Sequence, residues 1–197
     1  MCDCQPHADV LSEYQPPLFQ RYDLTVEFLR RRRLVKTLLA ERWSRLHMIA
    51  DEEILRELVC VCSIAPLRLD HEHERLLVED AGVVAETQQP CYLYRKFIPF
   101  DGDVELWHLS PGAEEDSSTA GEVAYLEYVT SVLELSEESA LPVLNKQTEL
   151  AERMISAQHA RIVTFNRGLP AFVARELAKW RRQDQVSRWW ERPVGRA

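Results

Sequence analysis

The 197-residue sequence predicts an α+β protein: an antiparallel β-sheet of about five to seven strands, flanked by N-terminal helices and by a long C-terminal helix followed by a shorter one. Three observations predict it. Apolar residues recur at intervals of three and four before residue 57 and again after Ser136, the period of an amphipathic helix. Between these stretches the runs become strand-like and follow one another across short turns, which favours antiparallel neighbours over parallel crossovers. Apolar residues make up 46% of the chain, enough for the core of one domain at this length.

Taken in order, residues 1–16 read as a loose leader ending at Pro16-Pro17. Residues 17–56 read as helical. Leu18, Tyr22, Val26 and Leu29 form a first stripe, and Val35, Leu38, Leu39, Leu46 and Ile49 a second, with Trp43 beside it and the Arg30–Arg33 run between them. Asp51 is placed to cap a further turn, Glu52–Arg56. Residues 57–136 read as antiparallel strands. Among them are Glu57–Ile64 (ELVCVCSI), the run from Cys91 (CYLYRKFIPF), a return over Val104–Leu109 across an Asp101-Gly102 hairpin turn, Glu122–Val129 and Val132–Leu135. The acidic Pro111–Gly121 stretch reads as a surface loop. In residues 137–184 helical period returns. Leu144, Ala151, Ile155, Ile162, Phe165 and Leu169 share a heptad-like seam suited to helix packing, and Thr148 and Gln158 fill its remaining places. Asn166-Arg167-Gly168 signals a stop, and Pro170 opens a shorter helix carrying Val173, Leu177 and Trp180. Residues 185–197 have no clear period.

The net charge of −8 is segregated. Arg21–Arg45 carries +5, Arg175–Ala197 carries +4, residues 46–174 carry −14 and residues 1–20 carry −3. The simplest reading is that basic helical ends complement the acidic middle, within the chain or between copies. A nucleic-acid footprint shared by the two ends is a weaker reading, because an acidic chain repels a polyanion outside the patch. The start of the chain shows no basic n-region and no apolar h-region, and no apolar run reaches the roughly 18 residues a membrane span needs, so a cytoplasmic, non-membrane protein is expected.

The order of these elements resembles a poorly characterised group of bacterial proteins and domains with an IPF-x-GD-x-x-L-x-x-x-P strand pair, then a helix ending V-x-x-F-N-x-x-L, then an Arg-rich helix. The matching residues are Ile98, Pro99, Phe100, Gly102, Asp103, Leu106 and Pro111, then Val163 at a shifted place, Phe165, Asn166 and Leu169, then Arg175, Arg181 and Arg182. The likeness covers roughly residues 50–185. Members of the group occur alone or joined to restriction-endonuclease-like and other anti-phage modules. The resemblance therefore implies an accessory or sensing role in bacterial antiviral defence, with any effector encoded as a separate chain nearby. The shared residues have structural characters: a turn glycine, a capping asparagine, core aromatics.

No catalytic signature is present: there is no G-x-S-x-G, P-loop, G-x-G-x-x-G or H-E-x-x-H pattern. Catalytic residues and cofactors are accordingly expected to be none. Two constellations stand against that expectation. His71 and His73, with Asp70 or Glu79, would suit a metal-dependent hydrolase or nuclease, although DHEHER reads more simply as a solvated loop. Cys60 and Cys62 would share one face of a strand and could join Cys2, Cys4 and His7 at zinc, although a C-x-C pair beside Val59 and Val61 reads more simply as core. Trp180, Trp189 and Trp190 lie among Arg181, Arg182 and Arg188, a composition suited to packing or to a protein interface. The sequence therefore favours a non-enzymatic interaction module that binds another protein chain, with a homo-oligomer as a further option and nucleic-acid binding through the basic ends as the alternative.

Overall fold

In the computed structural model, residues 18–20, 22–41, 49–84, 87–112 and 121–190 are described, except for the side chains of 184–190. The elements run β1 (Tyr22–Asp23), α1 (Leu24–Glu41), α2 (Asp51–Cys62), β2 (Arg68–Leu69), a 3-10 turn (His71–His73), β3 (Arg75–Val83) and β4 (Pro90–Asp101). A second 3-10 turn (Val104–His108), β5 (Leu109–Ser110), β6 (Glu122–Ala124), β7 (Glu127–Glu134) and α3 (Glu137–Trp190) complete the order. The class is α+β, with five strands in one antiparallel sheet and two in a short parallel pair, β1 with β5. The chain divides into two compact units. A sheet unit comprises Met1–Leu24 and Ala65–His159, and a helical unit comprises Thr25–Ile64 and Ala160–Ala197.

The sheet unit is organised by β4, which pairs antiparallel with β3, with β7 and, at its end, with β2. Alternate β4 side chains Tyr94, Ile98 and Phe100 are buried, as period-two patterning requires. Tyr94 packs with Ala140 and Leu144 of α3, and Tyr92 and Val132 close around them. The expected Asp101-Gly102 hairpin does not form. Gly102 has φ +116°, and the chain then turns back onto the segment before β2: Asp103 donates its N–H to the Ala65 carbonyl (2.9 Å), and its carboxylate accepts from the Ala65 N–H (3.3 Å). The expected return strand over 104–109 is instead a 3-10 turn to His108, with only Leu109 entering the short β5, and the turn places Trp107 in the core. Its indole stacks on Tyr128 (5.0 Å, 11°) and meets Phe100 edge-on (5.2 Å, 70°), with Phe19 at 5.4 Å. The Glu122–Val129 run is not one strand either. It is a hairpin whose two turn residues, Tyr125 and Leu126, both have positive φ (51° and 65°), while β7 runs unbroken through Val132.

Helix α3 passes the expected stop at Asn166–Gly168 and runs through Pro170. A proline inside a helix costs about 3 kcal/mol. Here Leu169 and Val173 remain fully buried on either side of it, and that packing outweighs the loss. Asn166 serves as a clamp rather than as a stop. Its side chain accepts from the Ile64 N–H (3.1 Å) and donates to the Ile64 carbonyl (2.8 Å), pairing that backbone the way a neighbouring strand would. Asn166→Ala should cost about 2 kcal/mol in urea unfolding, because two polar backbone groups lose their partner. A loss of only a few tenths would show that the clamp is incidental.

Four of the six expected seam residues, Leu144, Ala151, Ile162 and Leu169, are at most 1% exposed, and Phe165 is buried. Ile155 is only half-buried, because Met154 takes its place. Ala140, Ala151, Ile162 and Val173, all fully buried, also recur every eleven residues. Eleven residues is 3.67 per turn, the period of a nearly straight helix, whereas a heptad demands a left-handed supercoil.

In the helical unit, α1 turns a different face inward from the one its apolar stripe suggests. Val26 and Leu29 are about half exposed, while Val35 and Leu39 are buried. Arg31 lies on the inward face rather than interrupting it. It pairs with the buried Glu27 (2.6 Å) and donates to the carbonyls of Val61 (3.4 Å) and Ser63 (3.3 Å), a cation placed at the C-terminal end of α2. The first six residues of the expected ELVCVCSI strand are the second half of α2, and Ser63 caps the helix's end. Ile54, Leu58 and Cys62 are buried at four-residue steps, and Asp51, Glu52 and Glu53 occupy the favourable first turn. Trp43 and Leu46 lie outside the described residues, as does most of the acidic 111–121 loop.

Candidate partner-binding groove in the helical unit

Two side chains four apart on α1, Phe28 and Arg32, share one face with Arg161, Thr164, Phe165 and Gly168 of α3, which recur at helical spacing. Together with Ala160 these residues line an open groove of about 470 Å³. Phe28 stacks on Phe165 almost face to face (4.6 Å, 5°). Guanidinium groups extend the stack at both ends. Arg161 lies over Phe28 (5.8 Å), and Arg32 lies over both Phe165 (6.0 Å) and Phe172 (5.4 Å). The order is therefore Arg161, Phe28, Phe165, Arg32, Phe172, with one cation against each ring of the central phenyl pair. A guanidinium held near aromatic rings by cation–π attraction keeps N–H donors that can meet a carboxylate or phosphate. Arg161 spends one donor on the Thr25 hydroxyl (2.7 Å). Arg32, exposed, makes no hydrogen bond or ion pair with another described residue.

Gly168 is the second feature of this groove. It sits mid-helix, and a Cβ built on it would meet no heavy atom within 4 Å. Glycine there costs roughly 0.5–1 kcal/mol relative to alanine. Neither a positive φ nor close packing requires it. What its missing side chain leaves is space at the groove wall.

Trp180 is buried, with Arg181 over its ring (5.6 Å). Arg181 also binds the Asp51 carboxylate (2.6 Å) and the Ile49 carbonyl (3.1 Å), so this pair holds the unit together. Arg182 is exposed on α3, its Nε donating to the Ala178 carbonyl (3.3 Å). The side chains of Arg188, Trp189 and Trp190 lie outside the described residues, as do Cys2, Cys4 and His7. Cys60 and Cys62 sit two apart on a helix, not a strand, and so face different ways: Cys60 is exposed and Cys62 buried, where burial raises its thiol pKa. Sequence reasoning missed Phe28, Arg32, Arg161, Thr164 and Gly168. The four-residue spacing of Phe28 and Arg32 was a usable signal, but Arg32 read as one of a solvated basic run, and Gly168 as a helix terminator.

His71 and His73 do not converge. His71 spans Glu74 (3.2 Å) and Glu152 of α3 (2.7 Å), whereas His73 pairs with Asp70 (2.7 Å). Glu74 in turn reaches the nearly buried Lys96 (3.1 Å), which also donates to Asn145 (3.2 Å). Partial burial would raise the Glu74 carboxyl, but hydrogen bonds from His71 and Lys96 prevail and hold it below the usual carboxylate range. Among the described residues, no group of three or more His, Cys, Asp or Glu stands close enough to hold a metal ion. No described helix is long and apolar enough to cross a membrane. Comparisons with protein-family models, with curated proteins and with solved structures return no match.

Proposed function

We propose that this chain is a non-enzymatic interaction module whose helical unit receives an acidic segment of another protein in the groove between α1 and α3. The observation that carries the reading is Arg32, held in place between Phe165 and Phe172 with its donors unassigned, beside a glycine that keeps the groove open. A carboxylate meeting the Arg32 guanidinium and an apolar side chain lying along the phenyl stack would use both chemistries at once. The likeness to defence-associated bacterial domains supplies the setting: an accessory chain acting on a separately encoded effector in the cytoplasm. Against the hydrolase alternative stands the divergence of His71 and His73. Against a general nucleic-acid alternative stands the internal use of Arg31 and Arg181, which removes two cations from the basic ends.

The test uses two substitutions of opposite kind. Arg32→Glu reverses the charge, and Gly168→Leu fills the groove while removing a helix-disfavouring residue. A protein captured from the native host by the wild-type chain should, once purified, bind it directly and lose about tenfold or more in affinity to each variant, roughly 1.4 kcal/mol. Gly168→Leu should melt at or above the wild-type temperature, and Arg32→Glu should stay folded and melt only slightly below it, having lost two exposed cation–π contacts. If the partner binds both variants as well as the wild type, the groove is not its site. If single-stranded DNA binds the groove with steep salt dependence, the nucleic-acid alternative replaces this reading.

A further inference from the structure

The sheet unit has one long edge that no described residue covers. β3 pairs with β4 on one side only, and all nine of its residues are exposed, including the consecutive Leu76, Leu77 and Val78. The opposite edge is the three-residue β6. A strand edge offers unpaired backbone donors and acceptors, and proteins usually blunt such edges with bulges, charges or a covering element. Here the single bulge lies between Asp80 and Gly82, leaving Arg75–Glu79 in regular register against Phe97–Leu93.

We infer that β3 pairs antiparallel with β3 of a second copy of this chain, joining two sheets about a two-fold axis through Leu77. A two-fold axis normal to a sheet sets each residue opposite one of the same face, so the partner of residue i differs from it by an even number. With Leu77 on the axis, Arg75 faces Glu79 of the other copy, twice by symmetry, and Leu76 faces Val78. Moving the axis to Val78 sets Leu77 against Glu79 and Leu76 against Asp80, which loses both the charge pairs and the apolar pairs. The paired stretch ends where the register would place Asp80 opposite Glu74, and the Glu74 carboxylate is engaged with Lys96 and His71. Arg75 and Glu79 lie on one face of the sheet and already pair inward with Glu127 (2.7 Å) and Arg95 (3.4 Å), so the cross-interface pairs would be shared with, or drawn from, these contacts. This pairing is independent of the groove in the helical unit.

The register makes an unusual demand that can be tested with full-length chains by sedimentation equilibrium over a concentration series. The wild type should self-associate. Arg75→Glu alone sets two carboxylates opposite each other in both symmetric pairs, and Glu79→Arg alone sets two guanidinium groups opposite each other. Each substitution should therefore weaken association about tenfold or more. Mixed one to one, the two weakened variants should form a heterodimer at wild-type strength, because each mismatched strand then meets its complement. Far-ultraviolet circular dichroism and thermal melting verify that each variant is folded. A monomeric wild type at all concentrations overturns the proposal, as does association that neither substitution weakens. If the mixture fails to recover, β3 is not paired in this register and the proposal is likewise overturned.

Discussion

Gly102→Ala should destabilise the sheet unit by about 3 kcal/mol or more. Two costs add. The φ of +116° is one that residues with a Cβ rarely adopt, a strain of roughly 1–3 kcal/mol. The new Cβ would also lie 2.6 Å from the Pro66 carbonyl oxygen, 2.8 Å from its carbon and 2.9 Å from the Leu67 Cα. All three are backbone atoms, so no side-chain rotation can relieve the contact. The segment that would have to move is the one Asp103 grips through Ala65. Urea unfolding followed by circular dichroism should show the midpoint falling sharply. Gly168→Ala is the control: the same substitution, in open helix, should raise stability by roughly 0.5–1 kcal/mol. Equal effects at the two glycines would refute the geometric account.

Trp107→Ala should cost about 4 kcal/mol, the range for emptying a large aromatic site. The indole is fully buried and contacts Phe19, Phe100 and Tyr128, so its loss removes three ring contacts and opens a cavity under the 3-10 turn. Trp107→Phe keeps an aromatic at the centre and should cost less than half as much. The aromatic circular dichroism contributed by the clamped indole should be lost in the alanine variant even in water. A variant that unfolds at the wild-type denaturant concentration would mean the ring cluster contributes little.

Much of the fold is legible in the sequence, and the failures have physical causes. The strand from Cys91, the polar turn at DHEHER, the buried Thr148 and Gln158 within the helical seam and the helical N-terminal segment all follow from period and composition. ELVCVCSI misled because valine and cysteine favour strands intrinsically, whereas the buried positions Ile54, Leu58 and Cys62 belong to a helical period that starts six residues before the run does. FDGDVELWHL misled because Asp-Gly usually closes hairpins, and nothing local reveals that residues 65–67 lie against Gly102. The Asn-Arg-Gly and Pro170 punctuation misled because tertiary packing on both sides carries α3 through it. The groove was hidden for a related reason. Its stack joins residues more than 130 positions apart, and only the pairing of α1 with α3 brings Phe28 against Phe165.

The β6–β7 turn has its own consequence. Asparagine and glycine tolerate positive φ readily, but tyrosine and leucine hold it here against their preference. The tyrosine they display is 99% exposed, and Tyr128, three residues along, is wholly shielded with its phenol pKa raised by burial. The two phenols are therefore chemical opposites within one hairpin. A ring-modifying reagent, or any visiting molecule, would meet the first at once and reach the second only after the sheet comes apart.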